Sequence, residues 1–288
     1  MTKHQIKKID SGIRLDNYLL KKHEKMSRSY IKKLIDGKKI HVNGIMSVKS
    51  GYKVREGDQV IIDINMDQLV HPKFITLPIL YEDNDCIVID KPEGVLTHSK
   101  GEINDEPTVA TFIANKLDGL SGNRGGIVHR LDRATSGVII CAKNEKTLKL
   151  LQKQFSERKV SKKYIAVAKS GISPKQAVID IPIGRSTSNP KLFEATSSGK
   201  SAQTEYKVID EGSDYCLVEL KPRTGRTHQL RIHLKYLGYP ILGDEFYGGK
   251  PDKRLFLHAV SLEIKLPNGE KKNYKSNLPK EFHEKIKE

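Results

Sequence analysis

Apolar and polar residues follow two different rhythms along this chain, and the change between them divides it. Near the N-terminus the period is helical. Leu15, Tyr18 and Leu19 repeat at that spacing after Ile13-Arg14. Tyr30, Ile31, Leu34 and Ile35 then fill one face of a second helix, with Arg28, Lys32 and Lys33 on the other. Ser27 or Ser29 can cap this helix and Gly37 can stop it. Asn43-Gly44 marks a hairpin turn, and Glu56-Gly57-Asp58 a second turn that leads into a strand over 59–64. Beyond residue 80 the rhythm changes to short apolar runs of strand length: 86–90, 138–142, 164–168, 203–209, 216–220 and 260–266. Two helices are predicted between them. One covers 145–157, with Leu148, Leu151 and Phe155 on one face. The other covers 227–237, capped by Thr227 and ended by Gly238.

This pattern predicts an α+β protein in two parts. Residues 1–66 form a small domain of two helices followed by a sheet. Residues 67–80, with Pro72 and Pro78 and no clear period, read as a linker. Residues 81–288 form a larger domain on a mixed, largely antiparallel sheet with flanking helices.

Composition narrows the functional classes. Of 288 residues, 51 are Lys or Arg and 35 Asp or Glu, a net charge of +16. Such an excess points to a polyanionic partner, because each neutralised phosphate releases counterions. Residues 1–70 hold 15 basic and 8 acidic side chains, a net +7, against 36 and 27, a net +9, over the rest. The charge is therefore densest at the N-terminus, where the electrostatic footprint is expected. No apolar run approaches the roughly 20 residues of a spanning helix, and the N-terminus lacks a signal-peptide core. Cys86, Cys141 and Cys216 each sit in a strand-like run, far apart in sequence, and read as buried, reduced thiols of a cytoplasmic protein. The ten histidines show no metal-ligand spacing on a predicted helix. No metal or cofactor is expected.

The chemistry is concentrated in the stretch His129-Arg130-Leu131-Asp132-Arg133-Ala134-Thr135-Ser136-Gly137. It sets one carboxylate between two guanidinium groups, in a polar turn ahead of a buried strand. Flanking arginines favour the charged form of Asp132. Alone, such a cluster also describes an ordinary loop ion-pair network. Four further segments accompany it in order: Asp85-Cys86-Ile87-Val88-Ile89-Asp90-Lys91-Pro92-Glu93-Gly94; Lys162-Lys163-Tyr164-Ile165-Ala166; Arg223-Thr224-Gly225-Arg226-Thr227-His228-Gln229-Leu230-Arg231-Ile232-His233; and Gly238-Tyr239-Pro240-Ile241-Leu242-Gly243-Asp244. Leu257-His258-Ala259 completes the series.

Together these segments resemble the RluA family of pseudouridine synthases over nearly all of 81–288, and residues 13–64 resemble an S-four-type RNA-binding domain. The resemblance implies an isomerase that converts specific uridines of structured RNA, above all large-subunit ribosomal RNA, to pseudouridine without a cofactor. It implies that Asp132 is the essential catalytic residue, either as nucleophile or as base. Arg231 would pair with it, and Tyr164 would pack against the target base. Arg130 would fill the gap left by a flipped base, or anchor a phosphate. Arg223 and Arg226 would contact phosphates, as would Arg14, Ser27, Arg28, Lys32, Lys33 and Lys38 in the N-terminal domain. His129 reads as structural, and Leu230 and Ile232 as lining the base pocket or the adjacent core. Other readings are a synthase acting on transfer RNA, a non-catalytic RNA-binding factor associated with ribosomes, and an N-glycosidase. The last is disfavoured by the single carboxylate of the central motif. The expected protein is a monomer with RNA as its partner, away from membranes.

Overall fold

The computed structural model describes residues 1–46, 48–64, 75–99, 106–190 and 192–287. The chain divides into two compact units. One comprises Met1–Ile75, His98–Phe112 and Gly122–Arg124; the other comprises Thr76–Thr97, Ile113–Ser121 and Gly125–Glu288.

The first unit holds β1 (Thr2–Gln5), α1 (Leu15–Lys22), α2 (Arg28–Asp36), β2 (Ile40–Val42) and β3 (Gln59–Ile62). Ser27, not Ser29, caps α2, its Oγ accepting from the Tyr30 N–H at 3.1 Å. The helix stops differently from the expectation. Gly37 keeps a negative φ of −79°. Lys38 takes the left-handed conformation at φ 56°, and the Lys39 N–H returns to the Leu34 carbonyl at 2.8 Å. Asn43 and Gly44, at φ 52° and 80°, form the tight turn expected of that pair. The sheet order is β1-β3-β2, antiparallel throughout. β1 precedes the helices and was not predicted. Its sequence, Thr-Lys-His-Gln, has no apolar alternation, so pairing with β3 defines it. The apolar faces of both helices meet the sheet in one core that includes Leu15, Tyr18, Leu19, Ile31, Val60 and Ile62.

Of the segment read as a linker, residues 67–74 lie outside the described residues, and Ile79 and Leu80 already belong to β4 (Ile79–Glu82). Next in order come β5 (Cys86–Lys91), α3 (Val109–Ile113), β6 (Ser136–Ala142), α4 (Glu145–Ser156) and β7 (Ser161–Lys169). β8 (Gln176–Asp180), β9 (Ile183–Arg185), β10 (Phe193–Ala195), β11 (Gln203–Glu211) and β12 (Tyr215–Pro222) follow. The last elements are α5 (Gln229–Tyr236), β13 (Leu257–Lys265), β14 (Lys271–Lys275) and α6 (Lys280–Lys287). The main sheet runs β4-β5-β6-β13-β7-β12-β11-β8, with β14 added on β13, and β9 and β10 pair separately. Every adjacent pair in it is antiparallel except β6 with β13. The protein is thus α+β on a mixed, largely antiparallel sheet.

The β6–β13 contact requires a glycine. Gly137 lies opposite Ala259 at φ 109°, and a Cβ there would overlap the Ala259 carbonyl. β6 is buried along its whole length, a rigid support for the motif turn that precedes it. α4 is capped by Asn144, whose Oδ1 accepts from the Thr147 N–H at 2.9 Å. Leu151 is fully buried, with Leu148 and Phe155 packed beside it. Among the described residues no helix is long and apolar enough to cross a membrane.

Candidate active site

The turn between residues 129 and 135 is fastened on several sides. Thr97 Oγ1 donates to the Leu131 carbonyl at 2.9 Å and accepts from the Leu131 N–H at 3.2 Å. The Gly94 N–H donates to the Arg133 carbonyl at 2.8 Å. Lys91, fully buried, spends its ammonium on the carbonyls of Pro92, Val95 and Arg133 at 2.8, 2.9 and 3.2 Å. Burial, against the opposing pull of the Asp132 and Glu93 charges, brings this lysine down to about 7. The Lys-Pro-x-Gly segment is therefore a strap that ties the end of β5 to the turn.

His129 closes the other side. Its Nε2 accepts from the Ile140 N–H at 3.1 Å and its ring stacks on Phe155 at 4.5 Å. Burial lowers its pKa to about 3, so the ring is neutral. The structural role expected of His129 agrees with this geometry.

The turn opens onto a cavity of about 470 Å³. Asp132, Tyr164 and Arg231 all line it, as do Arg130, Arg223 and Arg226, so these six predicted residues come together. Leu230 lines it as well, whereas Ile232 packs in a small core with Ile183, Ala202 and Tyr247. Burial, and behind it the Asp132 charge, hold the Tyr164 phenol well above its usual range. Arg130 is exposed on the wall. Arg223 pairs with Glu205 of the neighbouring strand at 2.7 Å, and Arg226 Nε donates to the Ser201 carbonyl at 2.9 Å. Lys162, two residues before Tyr164 on β7, also reaches the cavity; burial lowers it to about 8.

One predicted contact is not formed. Arg231 does not pair with Asp132. Its Nε and Nη2 fork onto the two carboxylate oxygens of Asp244 at 2.7 and 2.6 Å. The pair is buried, and the guanidinium lies over the Tyr247 ring at 5.0 Å. The reason is geometric. The tight turn through Gly243, at φ 78°, brings Asp244 against α5, and the fork uses two of the guanidinium nitrogens on one carboxylate. Burial on its own would lower the Arg231 pKa; the Asp244 contact more than reverses this, with a smaller pull from Asp132.

The group found at ion-pair range of Asp132, among the described residues, is His228, with Nε2 4.0 Å from Oδ2. His228 lies within the segment 223–233, but the sequence offers no distinct role for it, since the cap expected there is Thr227. In the structure His228 occupies the N-cap of α5 in the left-handed conformation, φ 56°. Asp244 and Tyr247 were likewise missed; the available signal was a carboxylate in the Gly243-Asp244 turn.

In the first unit, Arg14 forks onto Asp16 at 3.0 and 3.0 Å, and Arg28 approaches the same carboxylate at 4.0 Å while bonding Asn17. Lys32 pairs with Asp36 along α2. Ser27 is engaged as the helix cap, and Lys38 is exposed in its left-handed position.

Comparisons with known proteins agree with this architecture. Residues 85–236 match the RNA pseudouridylate synthase family and residues 13–60 the S4 domain. The chain is 38% identical, over 95% of its length and 88% of the relative's, to ribosomal large subunit pseudouridine synthase D of Borreliella burgdorferi. It is 36% identical, over 95% and 93%, to an uncharacterized RNA pseudouridine synthase, YlyB, of Bacillus subtilis. Among solved structures it resembles human RNA pseudouridylate synthase domain containing 1, with a TM-score of 0.60 and 28% identity over 72% of this chain and 86% of that one. The chain belongs to the RNA pseudouridylate synthase family: it is an isomerase that converts uridine in RNA to pseudouridine.

Proposed function

We propose that the enzyme isomerises specific uridines of large-subunit ribosomal RNA, with Asp132 as its essential carboxylate and the target base flipped out of the RNA into the cavity. The observation that carries this reading is the placement of Asp132 beside Tyr164 in a 470 Å³ space rimmed by Arg130, Arg223 and Arg226. That volume admits a single nucleoside, not a stacked helix. The reaction breaks the bond from ribose C1′ to uracil N1, turns the base and rejoins it through C5. Asp132 acts on the sugar, as nucleophile at C1′ or as base toward a neighbouring C–H. Tyr164 stacks on the uracil during its rotation. Arg130, exposed on the wall, enters the space the base vacates or holds the adjacent phosphate, and Arg223 and Arg226 hold flanking phosphates. Arg231 acts from the wall by fixing α5 to Asp244.

The S4-type unit supplies docking, through Arg14, Arg28, Lys32, Lys33 and Lys38, with Ser27 shaping α2. Residues 81–288 contain the active site. The ribosomal target is supported by the relatives named for it. Pseudouridine mapping of total RNA from a deletion strain and its parent tests the assignment. Sites lost from large-subunit ribosomal RNA agree with it. Sites lost only from transfer RNA move the substrate, and no lost site contradicts it.

A further inference from the structure

Asp132 faces one end of a hydrogen-bonded chain whose direction can be read from its other end. Tyr247 is 2% exposed, so its hydroxyl proton needs a protein acceptor. Its oxygen already accepts from the Phe193 N–H of β10 at 3.4 Å. The acceptor that the structure shows for the hydroxyl proton is His228 Nδ1, 2.8 Å away. A ring nitrogen that accepts carries no proton, so the neutral imidazole has its proton on Nε2. Nε2 is the atom that lies 4.0 Å from Asp132 Oδ2. Burial lowers the His228 pKa against the pull of Asp132, with Arg231 and Arg130 also opposing protonation and Asp244 favouring it; the neutral ring is the relevant form. The backbone adds a second observation. A non-glycine residue at φ 56° is sparsely populated, and here that geometry starts α5, the His228 carbonyl accepting from the Ile232 N–H at 3.0 Å. The fold holds an unfavourable backbone where it delivers this side chain to the carboxylate.

We propose that His228 is a positioning residue for Asp132, locked by Tyr247 in the tautomer that presents its Nε2–H to the carboxylate. The inference rests on Asp132 acting in the reaction. At 4.0 Å the donor stands just outside hydrogen-bond range. A shift of about 1 Å when RNA fills the cavity makes the bond. It then fixes which carboxylate oxygen faces the sugar.

The test is single-turnover pseudouridine formation, with RNA affinity and thermal melting measured separately for each variant. His228→Asn tolerates the left-handed backbone and keeps a group near Nδ1 for Tyr247, but it has nothing at the Nε2 position. His228→Gln carries an amide N–H to that position. The expected result is a fall in rate of about tenfold to a hundredfold for His228→Asn at unchanged affinity, the size of one lost hydrogen bond to a charged group. His228→Gln should keep most of the rate. Tyr247→Phe should slow the reaction, and combining it with His228→Asn should cost no more than His228→Asn alone. Full speed in His228→Asn, equal loss in His228→Gln, or a loss confined to affinity would each overturn the proposal. Wild type and Asp132→Asn run in parallel. If wild type makes no pseudouridine, the functional reading fails and the inference with it. If Asp132→Asn is as fast as wild type, the catalytic role of Asp132 fails, and the inference again with it. If wild type is active, Asp132→Asn is dead and His228→Asn is fast, only the positioning role fails.

Discussion

Arg231 shows how a residue can be found from sequence while its work is not. Its place in the cavity was legible from the segment 223–233; its partner was not, because Asp244 meets α5 only through a tertiary turn. The places of Asp132 and Tyr164 in the cavity were legible because each sits in its own dense local motif. His228 was not, since nothing in Arg-Thr-His-Gln announces a left-handed cap. The Arg231–Asp244 fork makes a definite prediction. Arg231→Ala leaves a fully buried carboxylate without its cation and should cost about 3–5 kcal/mol in denaturant unfolding. Arg231→Lys should restore only part of this, since an ammonium cannot reproduce the fork. Wild-type stability in Arg231→Ala would show that the pair contributes nothing.

Two histidines predict the acid response. His129 and His258 have folded pKa values lowered to about 3 and about 4, mainly by burial, below the ordinary 6.5. As pH falls below about 6.5 the unfolded chain takes up these protons first. Their contribution is therefore complete above that pH and is lost on the way down to 3–4, at up to about 1.4 kcal/mol per pH unit for each ring. Unfolding at pH 7 and pH 5 should show a smaller loss in His129→Gln than in wild type. Identical losses would mean that His129 does not titrate with folding.

At the scale of elements, the apolar runs located six strands of the main sheet, β5, β6, β7, β11, β12 and β13, but not β4, β8 and β14, whose residues are mostly exposed and leave little apolar signal. Strand ends extended past the apolar runs: β7 begins at Ser161, where pairing with Glu263 of β13 continues the strand beyond its apolar part. α6 was missed because only Phe282 and Ile286 of its eight residues are buried. The glycines of the motifs separate by what surrounds them. Gly137→Ala should destabilise by more than about 2 kcal/mol, from its positive φ and the clash with Ala259, and should loosen the turn that carries Asp132. A Cβ at Gly225 meets nothing within 4 Å, so Gly225→Ala should leave thermal stability unchanged. A melting temperature for Gly137→Ala equal to that of Gly225→Ala would contradict the close β6–β13 approach.

Across the whole molecule, the charge gradient along the chain was plain from composition, whereas its local neutralisation was not. Asp16 faces Arg14 and Arg28, and Asp36 holds Lys32. These carboxylates must give way before phosphates use the cations. Neutralising Arg28, Lys32 and Lys33 together should weaken RNA binding and reduce its salt dependence by roughly one phosphate contact per charge lost, at most three. Binding isotherms at several salt concentrations check this. An unchanged slope would mean that this face of α2 does not meet RNA.

The central claim is that one carboxylate, Asp132, performs the isomerisation in this cavity. Single-turnover pseudouridine formation by Asp132→Asn, on RNA that the wild type converts, tests it most directly. The amide keeps the shape of the side chain and removes its charge and basicity, so the predicted result is no product above background with RNA affinity retained. Product at the wild-type rate would contradict the claim.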